Sequence, residues 1–506
     1  MSWIRRALLS GAAGIVAGAA LTASQAPGTG TLNGDVVDAD CEVRYGATVT
    51  ARRLDGEFTQ TAITDRKGTF SLGGLPAGAY KLTATLPGFR AATRTAIDLR
   101  AGATVSSSLA MDIGQFTPLS FDSGPPRPSG PPPIPRETCV PVDMSRGVMI
   151  VRARLNDYAT EPVWMILDSG ASVTVVAEAL ATARGMDVRP AGEMQSGIGE
   201  GRARLGRIPR LSMHIAGAQI DTTTAVTLPL GSDFGVIDHA VDGVLGSEVF
   251  LKFVVRIDYA TASVRFFDPG TFDYKGPGVP VPITLAGNSP EVRVQVEAGG
   301  RPLAATVEVD TGSDGTVGLN RPFVDANHLL DGRPTVAGYA MGVGGEASMT
   351  IGRIDALRLG PFIFANPVVG FSRASQGNTA SKSRDGIMGA AILHRFTLYL
   401  DYPHRRIILE PNAQLGDPFD FDLSGAVLAR NGTAPARIQA VRPGTPAAAL
   451  GLVAGDELIS IDGRATTDLP LDTIARWLRI PDRDFRLGLR RAGQPVEVVL
   501  HTKRLI

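Results

Sequence analysis

The chain is short of several features that would each imply a function. It has two cysteines in 506 residues, too few for a disulfide scaffold or a zinc cluster. Fifty Lys and Arg balance fifty Asp and Glu, so there is no basic excess to bind nucleic acid by counterion release. Aromatics make up only 6%, against 59 glycines and 35 prolines, a balance that favours turn-rich β architecture over helical bundles. No segment is apolar for the ~20 residues that a bilayer-spanning helix needs. The six histidines (His214, His239, His328, His394, His404, His501) are scattered, without the spacing of metal ligands, and each reads as a surface or core histidine. There is no Gly-x-Ser-x-Gly elbow and no Gly-x-x-x-x-Gly-Lys phosphate loop, and Cys139 has no histidine near it. What remains is ordinary globular composition, 44% hydrophobic and 20% charged, long enough for three or four domains of roughly 100–200 residues.

The N-terminus carries the marks of export. Arg5 and Arg6 precede a short apolar run, Leu8 to Leu21, and small residues at Ser24 and Ala26 mark a cleavage point. Residues 1–26 therefore read as a signal peptide, which sends the protein to the periplasm, the cell envelope or the medium and leaves no transmembrane anchor after cleavage. Export places Cys41 and Cys139 in a disulfide-permissive compartment. They flank a linker, and both a bridge and two separate buried thiols fit.

Residues 31–114 alternate apolar and polar side chains between Gly and Pro turns, the pattern of a small β-sandwich. The order Thr64-Asp-Arg-Lys-Gly-Thr-Phe, Leu75-Pro-Ala-Gly-Ala-Tyr-Lys-Leu, Pro87-Gly-Phe resembles the carboxypeptidase regulatory-like domain. It carries no cluster of candidate catalytic groups. Residues 115–139 form a linker with eight prolines between Pro118 and Pro135, an extended spacer unable to pack a core. At the other end, residues 420–506 contain Arg437-Ile-Gln-Ala-Val-Arg-Pro-Gly-Thr-Pro and Gly455-Asp-Glu-Leu-Ile-Ser-Ile-Asp-Gly, with Gly451 capping a short helix and a second helix expected over Leu471 to Leu478. This resembles a PDZ domain, and the resemblance implies a groove for a partner's extended C-terminal peptide.

Between them, residues 140–412 contain an internal repeat. The first copy reads Val163-Trp-Met-Ile-Leu-Asp168-Ser-Gly-Ala-Ser, then Ser196-Gly-Ile-Gly-Glu-Gly, then Asp242-Gly-Val-Leu-Gly. The second reads Ala304-Ala-Thr-Val-Glu-Val-Asp310-Thr-Gly-Ser, then Met341-Gly-Val-Gly-Gly-Glu, then Asp385-Gly-Ile-Met-Gly. The interval from Asp168 to Asp242 matches that from Asp310 to Asp385 to within one residue. An isolated Asp-Ser/Thr-Gly means little: the chain has a third, Asp122-Ser-Gly, inside the proline-rich linker, with no apolar strand before it. Asp168 and Asp310 each end an apolar strand, which puts a carboxylate at a strand-to-loop corner inside the protein. A carboxylate there needs hydrogen bonds or a shared proton. Ser169 and Thr311 can supply hydroxyls, and Gly170 and Gly312 let backbones approach closely.

The doubled arrangement resembles the retropepsin-like aspartic peptidases, with two fused copies in place of a homodimer. The resemblance implies a mainly β protein: a small β-sandwich, two retropepsin-like β-barrel lobes (140–275 and 276–412) forming a pseudo-dimer, then a PDZ domain. It implies that Asp168 and Asp310 meet between the lobes, share a proton and activate a water against a peptide bond, with no cofactor or metal. The glycine-rich stretches with Gly197, Gly199, Gly342 and Gly344 match the flaps that close over substrate. The expected partners are a peptide or protein substrate and a C-terminal peptide for the PDZ groove, the chain working as a monomer. One departure stands out: the fifth position after the strand is Ser172 in the first copy but Asp314 in the second. Asp314 would either add a carboxylate beside the pair or turn to solvent. Asp314 is the feature that favours the alternative function, a catalytically inactive peptidase-like peptide- or protein-binding protein of the cell envelope.

Overall fold

The computed structural model describes residues 28–38, 44–87, 89–111, 137–140, 142–145, 147–156, 161–195, 201–216, 218–222, 225–230, 241–342, 345–430, 434–469 and 471–506. The expected signal peptide, Cys41 and the proline-rich part of the expected linker lie outside them. The protein is mainly β, with only short helices. Among the described residues no helix is long and apolar enough to cross a membrane.

The leading unit is a sandwich of two four-stranded sheets. One runs Thr69–Pro76, Thr29–Asp38, Thr104–Ser106, with Leu109–Met111 also on Thr29–Asp38; the other runs Thr59–Ile63, Thr48–Arg53, Gly78–Thr85, Ala92–Leu99. Period-two alternation sends Val49, Ala51, Phe70, Leu72, Tyr80 and Leu82 into the space between the sheets.

The two halves of the repeat fold alike. In the first lobe the ten-stranded sheet takes the order Arg189–Gln195, Arg202–Arg207, Val226–Leu228, Val175–Ala177, Gly243–Leu245, Val163–Leu167, Val148–Leu155, Leu211–Ile215, Ala218–Thr222, with Val142–Ser145 on the Val148–Leu155 strand. The second lobe repeats that order strand for strand, from Thr335–Gly342 through Gly386–Met388 and Arg301–Val309 to Phe362–Ala365. In both, the strand ending at the aspartate pairs in parallel with the strand that follows Asp-Gly: Leu167 sits opposite Leu245, and Val309 opposite Met388.

A third sheet of six strands joins the lobes. Val254–Asp258, which closes the first lobe, pairs antiparallel with Phe396–Asp401, which closes the second, so that Ile257 faces Leu398. Its far strand, Glu137–Val140, lies on Ser263–Phe267. The last residues of the expected linker thus lie in a strand, because beyond Pro135 the chain is free to donate to a ladder. Val140, Val255, Ile257, Leu398 and Leu400 belong to a hydrophobic core that runs through both lobes without a break. The C-terminal unit is a six-stranded sheet whose edge strand, Ala426–Ala429, packs beside the Leu471–Trp477 helix.

The joining sheet makes a stability prediction. Leu398 is fully buried in it, and Leu398→Ala should cost about 2–5 kcal/mol. Ile363, more than half exposed, should lose less than about 0.5 kcal/mol on truncation to Ala. Urea unfolding of the two variants against the wild type checks the contrast.

Candidate active site

The local sequence dictates where the two aspartates stop. Each ends a strand and its backbone N–H still donates to the neighbouring strand, Asp168 to the carbonyl of Leu245 (3.0 Å) and Asp310 to that of Met388 (2.9 Å). The chain then turns sharply. Asp168 Oδ1 accepts from the N–H groups of Gly170 (2.7 Å) and Ala171 (3.1 Å), and Asp310 Oδ1 accepts from Gly312 (2.8 Å). One oxygen of each carboxyl is thus tied to its own loop, and the rest of the group is held toward the opposite lobe.

Ser169 and Thr311 lock the two loops together. Ser169 Oγ donates to the carbonyl of Val309 (2.7 Å) and accepts from the N–H of Thr311 (3.0 Å). Thr311 Oγ1 donates to the carbonyl of Leu167 (2.8 Å) and accepts from the N–H of Ser169 (3.0 Å). Both side chains are fully buried. Each hydroxyl uses its one donor and an acceptor site across the lobe boundary, so neither lobe completes its own loop.

Gly170 and Gly312 are required by closeness and not by backbone angle. A Cβ added at Gly170 would lie 2.8 Å from Asp310 Cγ, and one at Gly312 only 2.5 Å from Asp168 Cγ. Each carboxyl therefore rests against a bare glycine of the other lobe. The two carboxyls are close enough to influence each other's ionisation. Burial raises both above the ordinary carboxylate range, and Asp310 is pushed well up, since the charges of Asp168 and Glu308 add to its desolvation. Two facing acids, both raised by burial, are a setting in which one proton can serve the pair.

Of the expected site residues, the structure brings together Asp168, Asp310, Ser169, Gly170, Thr311 and Gly312. Gly342 ends a strand at the tip of the Thr335–Gly342 and Gly345–Arg353 hairpin, paired with Gly345. Gly197, Gly199 and Gly344 lie outside the described residues. Asp314 is exposed, as is its counterpart Ser172. Two groups near the pair went unassigned in the sequence. Tyr402 stacks on Phe250 (centroids 5.3 Å apart) and donates from its hydroxyl to the carbonyl of Ser169 (3.2 Å). Its signal was the Asp-Tyr that closes each copy, Asp258-Tyr259 and Asp401-Tyr402. Glu308 lies two residues before Asp310, and its carboxyl is itself raised by burial. Its position reads as one more strand residue until the sheet is folded.

Family models match the chain in order along its length. The carboxypeptidase regulatory-like domain matches residues 31–112, the aspartyl protease model matches 151–249 and again 294–392, and the PDZ domain matches 437–491. The two aspartyl protease regions contain Asp168 and Asp310 at corresponding places. No curated protein matches the chain.

Raised carboxyls have a consequence for stability. The folded state binds their protons more tightly than the unfolded chain does, so the pair costs stability as pH rises above the ordinary carboxyl value of 3.8. Asp310→Asn keeps the shape of a protonated carboxyl and removes that cost. The variant's urea midpoint should exceed the wild type's at neutral pH, and the gap should close below about pH 4. A gap independent of pH would contradict a pair that holds its proton in the fold.

Proposed function

We propose that the chain is an exported aspartic-type endopeptidase whose two central lobes, 140–275 and 276–412, form one catalytic unit. In this reading residues 1–26 direct export, 31–114 form the leading sandwich, 115–139 connect it, and 420–506 form the PDZ domain. One observation carries the proposal: two aspartates from two copies of one motif face each other across a hydroxyl exchange that spans the lobes. Two aspartyl protease matches over the same halves support it.

The chemistry follows from the shared proton. The ionised carboxyl of the Asp168/Asp310 pair takes a proton from a bound water, whose oxygen attacks the scissile carbonyl carbon. The protonated partner hydrogen-bonds to the carbonyl oxygen and gives up its proton as that oxygen becomes a hydroxyl. The tetrahedral intermediate then collapses as the amine leaves with a proton. Neither aspartate owns a role, because the pair titrates as a unit. Each step uses only the two acids and water, and one chain supplies both acids as its own pseudo-dimer. The glycine-rich stretches with Gly197, Gly199, Gly342 and Gly344 would cover substrate as flaps.

The alternative, a lobe pair that holds peptides without cutting them, drew its support from Asp314. Exposure of that carboxylate withdraws the support. The PDZ domain offers an edge strand, Ala426–Ala429, beside the Leu471–Trp477 helix, a place for an extended peptide to add as a further strand.

Cleavage of a diverse peptide mixture, read by mass spectrometry from mild acid to neutral pH, tests the reading. Asp168→Asn and Asp310→Asn should each lower the rate by about 10²–10⁴-fold. Activity should trace a bell whose limbs lie above the ordinary carboxylate range, since both acids are raised. A wild type that cuts nothing would return the chain to the binding alternative. Removing residues 420–506 should slow cleavage of protein substrates and leave short peptides unaffected; unchanged cleavage of both would remove the recruiting role.

A further inference from the structure

The two lobes are built alike, yet the faces they turn toward each other differ in chemistry. In the first lobe Ile150 sits opposite Ile166 across the strand pair, and in the second Glu291 sits opposite Glu308 at the same place. Val241 precedes Asp242 in the first copy, and Arg384 precedes Asp385 in the second. Ile166 and Glu308 each stand two residues before their aspartate, so period-two alternation puts them on the aspartate's own face of the sheet.

That face looks across at the other lobe. Ser289, two residues before Glu291, donates from Oγ to the carbonyl of Gly170 (3.0 Å) and lies 3.3 Å from Ser172 Oγ. On the first lobe this face is an apolar patch separate from the main core, made of Val148, Ile150, Ile166, Val175, Leu228 and Val244. On the second lobe the matching positions hold one guanidinium and two carboxylates. Arg384 Nη1 pairs with Glu308 Oε2, and its Nε lies 3.2 Å from Glu291 Oε1. With both acids ionised the trio keeps one uncompensated negative charge.

The trio is also incomplete. Glu308 is 4% exposed and Glu291 8%. Despite that burial, Glu291 Oε1 accepts no hydrogen bond and Arg384 Nε donates none among the described residues. The guanidinium 3.2 Å away supplies charge to that oxygen without an aligned N–H, and an entering cation with N–H groups would complete it. An apolar side chain in the same place would leave the oxygen without an aligned donor, which is how a polar pocket rejects the wrong substrate.

We propose that the cleft is two-sided: the first lobe takes an apolar side chain and the second takes Lys or Arg, on residues adjoining the scissile bond, with Glu308 and Glu291 setting the preference. The proposal deepens the peptidase reading and rests on its cleft. The second lobe's wall is then a specificity device, and the dyad's neighbouring negative charge favours the same substrates.

Three peptides test it, identical except at the residues flanking a reduced-amide bond that cannot be cut: norleucine–norleucine, lysine–norleucine and norleucine–lysine. Calorimetric affinities for the wild-type full chain are compared with those of Glu308→Gln, which keeps the side chain's shape, and of Glu291→Ile/Glu308→Ile/Arg384→Val, which copies the first lobe. The matching amide peptides are assayed for cleavage in parallel. One lysine peptide should bind the wild type at least about tenfold more tightly than the norleucine pair. Glu308→Gln should shrink that preference and the triple variant reverse it. Equal affinities in the wild type, or a preference that Glu308→Gln leaves intact, would overturn the two-sided cleft even if the amide peptides are cut. A lysine preference without cleavage would uphold the cleft and overturn the peptidase reading. Absence of both binding and cleavage would overturn both.

Discussion

Everything at the centre of this molecule depends on the exchange of hydroxyl hydrogen bonds between Ser169 and Thr311. Each side chain reaches out of its own lobe to serve the backbone of the other, and both are closed off from water. A buried N–H or carbonyl left without its partner costs about 1–3 kcal/mol, so removing either hydroxyl strands groups on both sides at once. The exchange fixes the separation of the two loops, and with it the separation of the two carboxyls. The glycines on either side are its corollary: at this spacing there is no volume for a side chain between Asp168 and Gly312, or between Asp310 and Gly170.

Such a junction would be fragile alone. It is supported by the six-stranded sheet beneath, where the closing strands of the two lobes pair, and by a core continuous from one lobe to the other. Tyr402 connects the two levels: its ring stacks on Phe250 of the first lobe, while its hydroxyl reaches Ser169. Its counterpart Tyr259 is equally buried, yet its hydroxyl has no hydrogen-bond partner among the described residues. The pseudo-symmetry is thus close in the backbone and loose in the side chains. That looseness is what a single fused chain permits and an exact dimer of identical chains does not, because two copies of one chain must present the same residue on both walls of the cleft.

Much of the architecture was legible in the residues. The doubled order of apolar strand, Asp-Ser/Thr-Gly, glycine-rich stretch and Asp-Gly-Ψ-Ψ-Gly announced two copies, and the third Asp-Ser-Gly could be set aside because no strand preceded it. Less legible were features that need two distant segments at once. Glu137–Val140 looked like the end of a linker until Ser263–Phe267 offered it a ladder. Asp314 was ambiguous because a loop's local sequence does not say which way its side chain leaves; the fold exposes it. Glu308 was passed over because one charged residue in a strand of valines has no meaning without the Arg384 and Glu291 that the sheet brings beside it.

By itself, then, the sequence determined the order of units, the turn at each aspartate and the residues able to satisfy a buried carboxylate. Those properties are local: they follow from alternation, from turn-forming residues and from which side chains carry a donor within a few positions. The tertiary structure alone decided that both acids are raised by burial, that each hydroxyl serves the opposite lobe, and that the face carrying the aspartate is apolar in one lobe and charged in the other. Proton affinity and pocket chemistry are set by desolvation and by neighbours a few ångströms away, and here the two loops that meet stand more than a hundred residues apart along the chain.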